Sequence, residues 1–83
     1  MALHISYFSW VRERMGIAEE CVDVPADVVT IGDLVDWLAT RDERGAFAFG
    51  EPGRIRAAIG GAMAGPEAML GDEVALFPPV TGG

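Results

Sequence analysis

The stretch FPPVTGG, residues 77–83, holds the groups best suited to chemistry in this 83-residue chain. Pro78 and Pro79 fix the backbone φ angle, so the segment is expected to leave the preceding element in an extended conformation. The residues that follow are small, and Gly83 places no side chain beside the terminal carboxylate. A segment this thin can thread a narrow channel and deliver its end to a distant active site.

The carboxylate of Gly83 is ionised at neutral pH, which makes it a poor electrophile and a poor nucleophile. It therefore requires activation by another protein, most simply as an acyl-adenylate. Attack by sulfide or a persulfide would give a thiocarboxylate, which carries sulfur. Attack by a lysine amine would give an isopeptide bond, which tags a protein. An inert glycine end is the remaining alternative, but it does not explain the Pro-Pro-Val that precedes it.

Cys21 and His4 are the only cysteine and the only histidine. They are far apart in sequence and lack the clustered spacing of metal ligands, so we predict no metal site and no catalytic thiol. Cys21 is expected to be a buried or half-buried thiol in a strand. A single cysteine excludes an internal disulfide and fits a reducing, cytoplasmic setting.

The charge balance restricts the partners that the chain can bind. Thirteen acidic and six basic residues give a net charge of −7, and all six cations are arginines. Such a surface repels phosphate backbones, so we expect no nucleic-acid binding and favour a basic protein partner. The N-terminus has no basic flank and no long apolar run, and the charge-free residues 57–66 are too few to span a bilayer. We therefore expect no membrane association.

Hydropathy patterns predict an α+β fold of five strands and one main helix. The strands are expected at residues 3–8, 20–24, 54–59, 62–64 and 73–77, and the helix at residues 31–40. Thr30 and Asp33 have the spacing of a capping box at the start of that helix. The order β-β-α-β-β-β places the helix on one face of a sheet. The length fits one domain, residues 1–83, with a flexible tail at residues 78–83.

Two connecting segments are interpreted as irregular. Residues 11–16 are expected to form a polar turn between the first two strands. Residues 41–53 begin polar and end in turn residues, with Phe47 and Phe49 as anchors. Gly60 and Gly61 suit a tight hairpin turn that needs positive φ.

Two aromatic side chains fall out of phase with the core pattern, and one methionine could join them. Phe8 and Phe77 each alternate with the inward residues of their strands, and Met63 lies in the short fourth strand. If the first and last strands are neighbours, the two rings share the sheet face opposite the helix. Exposed apolar patches of this kind usually mark a partner site. Arg54 and Arg56 alternate on an outer face, where they are either solvated or in contact with an acidic partner surface.

The segment GDEVALFPPVTGG, residues 71–83, closely resembles the C-terminus of the molybdopterin synthase small subunits, which belong to the ubiquitin-like MoaD/ThiS sulfur carriers. The resemblance extends to FSWVRE, residues 8–13, and to TIGDLVDWLATR, residues 30–41, and so covers essentially the whole chain. It implies a β-grasp fold and a sulfur carrier of molybdenum cofactor biosynthesis. A Gly-Gly pair at residues 60–61, where the family often has a polar pair, departs from this pattern.

The resemblance also implies a mechanism. An E1-like activating enzyme would consume ATP to adenylate Gly83, and a sulfur donor would convert it to a thiocarboxylate. The tail, with Gly82 next to the reactive end, would enter the large synthase subunit and pass sulfur to cyclic pyranopterin monophosphate. The chain would thus be the sulfur-donor subunit of a heterotetrameric sulfurtransferase, with no catalytic pocket and no permanently bound cofactor. The residues implied to contact the large subunit are Phe8, Met63, Phe77, Pro78, Pro79, Val80 and Thr81.

Two alternatives use the same tail chemistry. One is a carrier for thiazole, cysteine or tRNA thiolation, although thiazole carriers tend to be shorter and lack the FPPV lead-in. The other is a ubiquitin-like modifier joined to lysines of target proteins. The absence of lysine means that this chain could not build polymers on its own side chains, but it does not exclude single conjugation.

Overall fold

The computed structural model describes residues 2–51 and 54–79. Its elements are β1 (Ala2–Tyr7), α1 (Ser9–Met15), β2 (Glu19–Asp23), α2 (Ile31–Arg41), α3 (Glu43–Phe49), β3 (Arg56–Ile59), β4 (Ala62–Ala64) and β5 (Glu73–Phe77). The strands form one mixed sheet in the order β2-β1-β5-β3-β4. β1 and β5 run parallel, and the other neighbouring pairs are antiparallel. None of the helices in the described ranges has the length and apolarity needed to cross a membrane.

Strand alternation divides the sheet into a core face and an open face. On β1, the inward residues Leu3, Ile5 and Tyr7 are at most 1% exposed, whereas the residues between them are half-buried. The inward residues of the neighbouring strand β5, Val74 and Leu76, are fully buried. The helices cover this face with the buried side chains Val11, Met15, Ile31, Leu34, Val35, Leu38, Ala48 and Phe49. Burial of one face by helices is the two-layer arrangement expected from the sequence.

The start of α2 confirms the predicted capping box. The hydroxyl of Thr30 accepts a hydrogen bond from the backbone N–H of Asp33, and an Asp33 carboxylate oxygen accepts one from the backbone N–H of Thr30, both at 3.1 Å. That oxygen also accepts from the N–H of Val29, so backbone hydrogen bonds lower the pKa of Asp33. These bonds satisfy N–H groups that have no partner within the helix.

Two predicted irregular segments are helices, so these predictions were wrong. Residues 11–16 fall mostly within α1, where Val11 and Met15 are buried one turn apart and Gly16 ends the helix with φ 77°. Residues 41–53 contain α3, which begins where the Asp42 carboxylate accepts from the N–H of Gly45 at 2.8 Å. Both helices have only seven residues, too few for a clear helical period in the sequence.

The remaining differences concern strand ends and one anchor. β1 and β2 each begin and end one residue earlier than predicted, β3 begins at Arg56, and α2 extends through Arg41. Phe47 and Phe49 were both expected to anchor this segment, but the helical geometry of α3 gives them different environments. Phe49 is fully buried, but Phe47 is 63% exposed. Gly60 and Gly61 have φ values of 60° and 82°, which fits the predicted hairpin turn between β3 and β4.

Ser9 is the one non-glycine residue with positive φ, 56°, among the described residues. It lies where β1 gives way to α1, beside Phe8, whose N–H donates to the carbonyl of Leu76 at 3.1 Å. A left-handed conformation costs an L-residue about 1–2 kcal/mol, and more for β-branched side chains.

We predict that Ser9→Val lowers the free energy of unfolding by about 2 kcal/mol because valine crowds this conformation. Ser9→Gly should change it by less than about 1 kcal/mol, since relief of strain is offset by the freer unfolded chain. Urea unfolding followed by circular dichroism measures both. Equal stability of the valine and glycine variants would contradict the strain at Ser9.

A polar network at the edge of the core joins β1, β2 and α2. The buried hydroxyl of Tyr7 donates to Glu20 Oε2 at 2.6 Å, and Arg41 donates to both oxygens of Glu20 at 3.2 and 2.9 Å. Arg41 Nε also lies 3.3 Å from Asp42 Oδ2, in a geometry that does not make a hydrogen bond. Desolvation opposes ionisation of Glu20, but the hydrogen bonds from Arg41 and Tyr7 outweigh it and lower the pKa of Glu20. Burial, followed by the bond to Glu20, raises the pKa of Tyr7.

We predict that Glu20→Gln lowers the free energy of unfolding by about 1–3 kcal/mol at pH 7, since it removes a charge-assisted bond from Arg41. The lowered pKa of Glu20 stabilises the fold above the ordinary glutamate pKa of about 4.3. That stabilisation is lost as the pH falls through the folded pKa. Urea unfolding at pH 7 and at pH 3 should therefore show the wild type losing more stability than the variant.

Glu19→Gln is the matched control for this network. Glu19 is the preceding residue of β2, and its exposed carboxylate lies 3.0 Å from His4 Nε2 on the open face. Exposed pairs contribute little, so this change should cost less than about 1 kcal/mol. Equal losses in the Glu19 and Glu20 variants would contradict a special role for the Tyr7–Glu20–Arg41 network.

Candidate functional site

The tail leaves the centre of the sheet. β5 lies between β1 and β3, and its last residue, Phe77, pairs with Arg56 on β3. The segment that continues toward Gly83 therefore starts from a strand held by hydrogen bonds on both sides. Pro78 and Pro79 follow directly and are half-buried. A terminus anchored in this way begins at a fixed point and in a fixed direction.

The open face is the sheet face away from the helices. One cross-strand row runs from Glu19 through Ser6, Ala75 and Ala58 to Met63. The small side chains in the middle of this row give a shallow floor at the centre of the sheet. Such a floor admits close approach by a partner's side chains.

A second row lies closer to the tail. It contains Arg56 and Phe77, which pair directly, and Phe8, which continues the parallel register of β1 beside β5. Phe8 is 50% exposed, and Phe77 is half-buried. The first and last strands are thus neighbours, which was the condition for the two rings to share a face, and both rings belong to the open face.

Met63 lies on the same face but not beside the two rings. It is 67% exposed on the edge strand β4, two strands away from β5. The structure therefore places four of the described candidate residues around the base of the tail, Phe8, Phe77, Pro78 and Pro79, and Met63 apart from them on the edge strand. The other candidates, Val80, Thr81, Gly82 and Gly83, lie outside the described residues.

Cys21 is exposed rather than buried, which corrects the expectation from the sequence. Its position on β2 points it to the open face, directly opposite His4 on β1. The His4 ring nitrogen Nε2 is 3.0 Å from Glu19 Oε1. Within residues 2–51 and 54–79, no group of three histidine, cysteine or acidic side chains is arranged to hold a metal ion.

An arginine–aromatic cluster on the helical side was not predicted as a unit. The guanidinium of Arg14 lies 4.4 Å from the ring centre of Trp10 and 4.8 Å from that of Phe47, and it donates to the Phe47 carbonyl at 3.3 Å. Stacking of this kind joins α1 to α3 and shields an exposed ring. The spacing of Trp10 and Arg14, one helical turn apart, is the signal that would have found it.

A groove lies between α2 and the hairpin of β3 and β4. It has a volume of about 490 Å³ and is lined mainly by apolar groups, with Arg56 and Asp36 among the lining residues. Met63 lines it as well, so the open face and this groove meet at the β4 edge. The surface near the tail therefore continues around the edge of the sheet.

A mixed sheet with parallel first and last strands, packed on one main helix, defines the ubiquitin-like β-grasp class. A solved structure from Pyrococcus furiosus, titled a putative molybdopterin converting factor, subunit 1, has this fold; it matches 96% of this chain and 99% of its own with a TM-score of 0.73 and 24% identity. The sequence pattern of the ThiS family matches residues 5–83. The chain belongs to the ThiS family.

Relatives of the same overall length show which proteins the chain resembles over its whole sequence. Two proteins named molybdopterin synthase sulfur carrier subunit, from Escherichia coli and Haemophilus influenzae, are 37% and 32% identical; each match covers 98% of this chain and 99% of the relative. The small archaeal modifier protein 1 of Haloferax volcanii is 30% identical, with a TM-score of 0.66 over 95% of this chain and 98% of its own. The chain is thus similar both to sulfur carriers and to a protein modifier.

Proposed function

We propose that this protein is the sulfur carrier subunit of molybdopterin synthase and acts in molybdenum cofactor biosynthesis. The observation that carries the proposal is an FPPVTGG sequence whose first residues follow directly from a central, doubly hydrogen-bonded strand, beside the exposed ring of Phe8 and the half-buried ring of Phe77. The full-length similarity to two sulfur carrier subunits supports the same function. The chain contributes the reactive terminus, and its partners contribute the catalytic pockets.

The chemistry takes place at the carboxylate of Gly83. An E1-like activating enzyme joins it to AMP from ATP and releases pyrophosphate. A sulfur donor at the oxidation level of sulfide then attacks the acyl carbon, AMP leaves, and a thiocarboxylate remains. Glycine suits this position because no side chain obstructs the approach of either partner to the acyl carbon. ATP is consumed by the enzyme, and the carrier itself holds no cofactor.

The loaded tail then delivers sulfur within the large synthase subunit. The thiocarboxylate donates its sulfur to cyclic pyranopterin monophosphate, and two loaded carriers supply one dithiolene. Large subunits paired with one carrier at each end would give a heterotetramer. Support for docking through the open face comes from the exposure of Phe8 beside the base of the tail and of Met63 on the edge strand of the same face. Aromatic and methionine side chains are enriched at the centres of such interfaces.

A second candidate function is protein modification. The 30% identity to a small archaeal modifier protein over nearly the whole chain favours it. In that case a lysine amine of a target attacks the same adenylate, and an isopeptide bond forms at Gly83. Both functions require activation of the same carboxylate, so they differ only in the nucleophile that follows.

Reconstitution with the large subunit distinguishes the two functions. In one mixture, thiocarboxylated carrier is combined with purified large subunit and cyclic pyranopterin monophosphate. In a second, unloaded carrier is combined with the activating enzyme, ATP and lysine-containing proteins, and the products of both are followed by mass spectrometry. A sulfur carrier returns to its unloaded mass while the pterin gains sulfur. A modifier leaves the pterin unchanged and forms conjugates with lysine-containing proteins that resist thiol reagents. The second result would overturn the proposed function.

A further inference from the structure

We propose that a groove at the end of the sheet opposite the tail is a second docking site, which binds a protein segment carrying basic side chains beside a large apolar one. This distal groove lies between the loop after β2 and the segment before β5 and has a volume of about 400 Å³. Its lining residues are apolar or glycine, among them Leu3, Val24, Val28, Val29, Met69 and Leu70. The loop follows the end of β2 that pairs with Ala2 at the start of β1, whereas the tail follows the far end of the parallel strand β5.

Two exposed apolar side chains of the molecule are gathered at the distal groove. Among the described residues, five large apolar side chains are exposed. Phe8 and Met63 belong to the open face, and Phe47 is stacked in the arginine–aromatic cluster. The other two, Val29 and Met69, are 44% and 67% exposed, and both line the distal groove. Apolar side chains grouped around one groove, rather than scattered singly, indicate a partner site.

Backbone contacts hold the two walls of the distal groove together. The N–H of Leu70 donates to the carbonyl of Val29 at 2.9 Å. Thr30, which caps α2, forms an isolated antiparallel bridge with Met69. The walls are therefore tied to each other and to the start of the main helix. A groove that is already formed requires little ordering when a partner binds.

An acidic depression adjoins the distal groove. It has a volume of about 390 Å³, shares Pro25 and Val28 with the groove, and is lined by Asp27, Asp33 and Asp36. None of its lining residues carries a positive charge. An apolar groove continuous with an acidic depression matches a segment that places an apolar side chain in one and a guanidinium or ammonium group in the other.

The nearby part of the chain holds one cation, and its charge is already balanced. Residues 15–40, which form the depression, contain no arginine, lysine or histidine. Arg41 follows them, and its guanidinium lies 5.4 Å from the ring centre of Trp37, which lines the depression. Arg41 donates to both carboxylate oxygens of Glu20 and lies 3.3 Å from Asp42 Oδ2. Two carboxylates therefore compete for this guanidinium before the depression does.

Asp27 and Asp33 carry the charge that a partner would meet. Asp36 also lines the groove between α2 and the hairpin of β3 and β4, where Arg56 lies. The donors to Asp33 are backbone N–H groups, which lower its pKa without supplying a cation. In the part of the chain that the structure describes, no three histidine, cysteine or acidic side chains are arranged to hold a metal ion. Phosphate-bearing partners are repelled by this charge, so a basic protein segment is the occupant that fits.

Phage-displayed random short peptides probe the site without a known partner. The library is selected on immobilised carrier, and synthetic copies of the enriched peptides are titrated by fluorescence anisotropy. Enriched peptides should combine arginine or lysine with a large apolar residue. Because part of the attraction is electrostatic, their affinity should fall between about 50 and 500 mM salt.

Matched variants locate the bound peptide. Met69→Glu and Asp27→Lys should each weaken binding about 10-fold or more. Met63→Glu makes the first change at a methionine that is also 67% exposed, but on the open face, and Glu13→Lys reverses a charge on α1. Both controls should stay within about threefold of wild type. Thermal unfolding checks the fold of each variant, and the two groove variants test the site independently.

Three results would overturn the inference. The first is no enrichment over an unrelated control protein, or enriched peptides without basic residues. The second is binding that is weakened by Met63→Glu but not by Met69→Glu, which would assign the peptides to the open face. The third concerns a second copy of the chain as the occupant. Sedimentation of the carrier alone should show a monomer, and an oligomer lost in both Met69→Glu and Phe47→Asp would mean that another carrier fills the groove.

Discussion

Deleting Gly83 is expected to abolish sulfur transfer while leaving the fold intact. The deletion moves the reactive carboxylate by about 3.5 Å, the length of one extended residue. A misplacement of 1 Å can already cost about 100-fold in rate, so transfer should fall by at least that factor. The fold should be unaffected because the sheet ends at Phe77 and the core lies entirely N-terminal to it.

The measurement is the rate of thiocarboxylate formation and of sulfur transfer to the pterin, with circular dichroism of the carrier as a structural check. A chain extended by one alanine beyond Gly83 tests the same requirement in the opposite direction. It retains every native residue but moves the carboxylate outward and adds a methyl group next to it. Both variants should be folded and inactive. Full activity of the unprocessed, extended chain would contradict the role of the terminal carboxylate.

Phe77→Asp is expected to weaken binding to the large subunit by about 100-fold, or roughly 3 kcal/mol. The substitution removes a large aromatic side chain at the base of the tail and places a carboxylate in an apolar contact. Phe77 is half-buried on the open face, and its strand, β5, lies between β1 and β3. The domain should remain folded because the ring does not point into the core.

Phe47→Asp is the matched control for this prediction. It makes the same substitution at a phenylalanine that is 63% exposed, but on α3 beside Arg14. Its affinity for the large subunit should remain within about threefold of wild type. Phe8→Asp, at a half-exposed ring, provides a second test of the open face should Phe77→Asp prove unstable. Unchanged affinity for the large subunit in both open-face variants would contradict the prediction that this face forms the interface.

The strands and the main helix were predictable because their periodicity is strong and local. Buried and exposed residues alternate along β1 and β5, and Thr30 with Asp33 marks the start of α2 through reciprocal hydrogen bonds. Phe8 and Phe77 were recognised as out of phase with their strands for the same reason, but the pairing of β1 with β5 was only a condition of that interpretation. Each of these signals arises from residues within a few positions of one another.

The two short helices and the polar network were not predictable in the same way. Helix α1 offers only Val11 and Met15 as inward residues, and its conformation depends on packing against the sheet. The contact between Glu20 and Arg41 spans 21 positions, so no local pattern indicates it. The exposure of Cys21 likewise depends on the strand register, because the register decides which sheet face each residue of the edge strand β2 points to.

The most direct test of the central claim is the intact mass of the carrier after incubation with an E1-like activating enzyme, ATP and a sulfur source. The account predicts a gain equal to replacement of one oxygen by sulfur, located at Gly83 by fragmentation and dependent on ATP. An unchanged mass in the presence of an enzyme that activates a known carrier would contradict it. A sulfur atom found on Cys21 instead of Gly83 would contradict it equally.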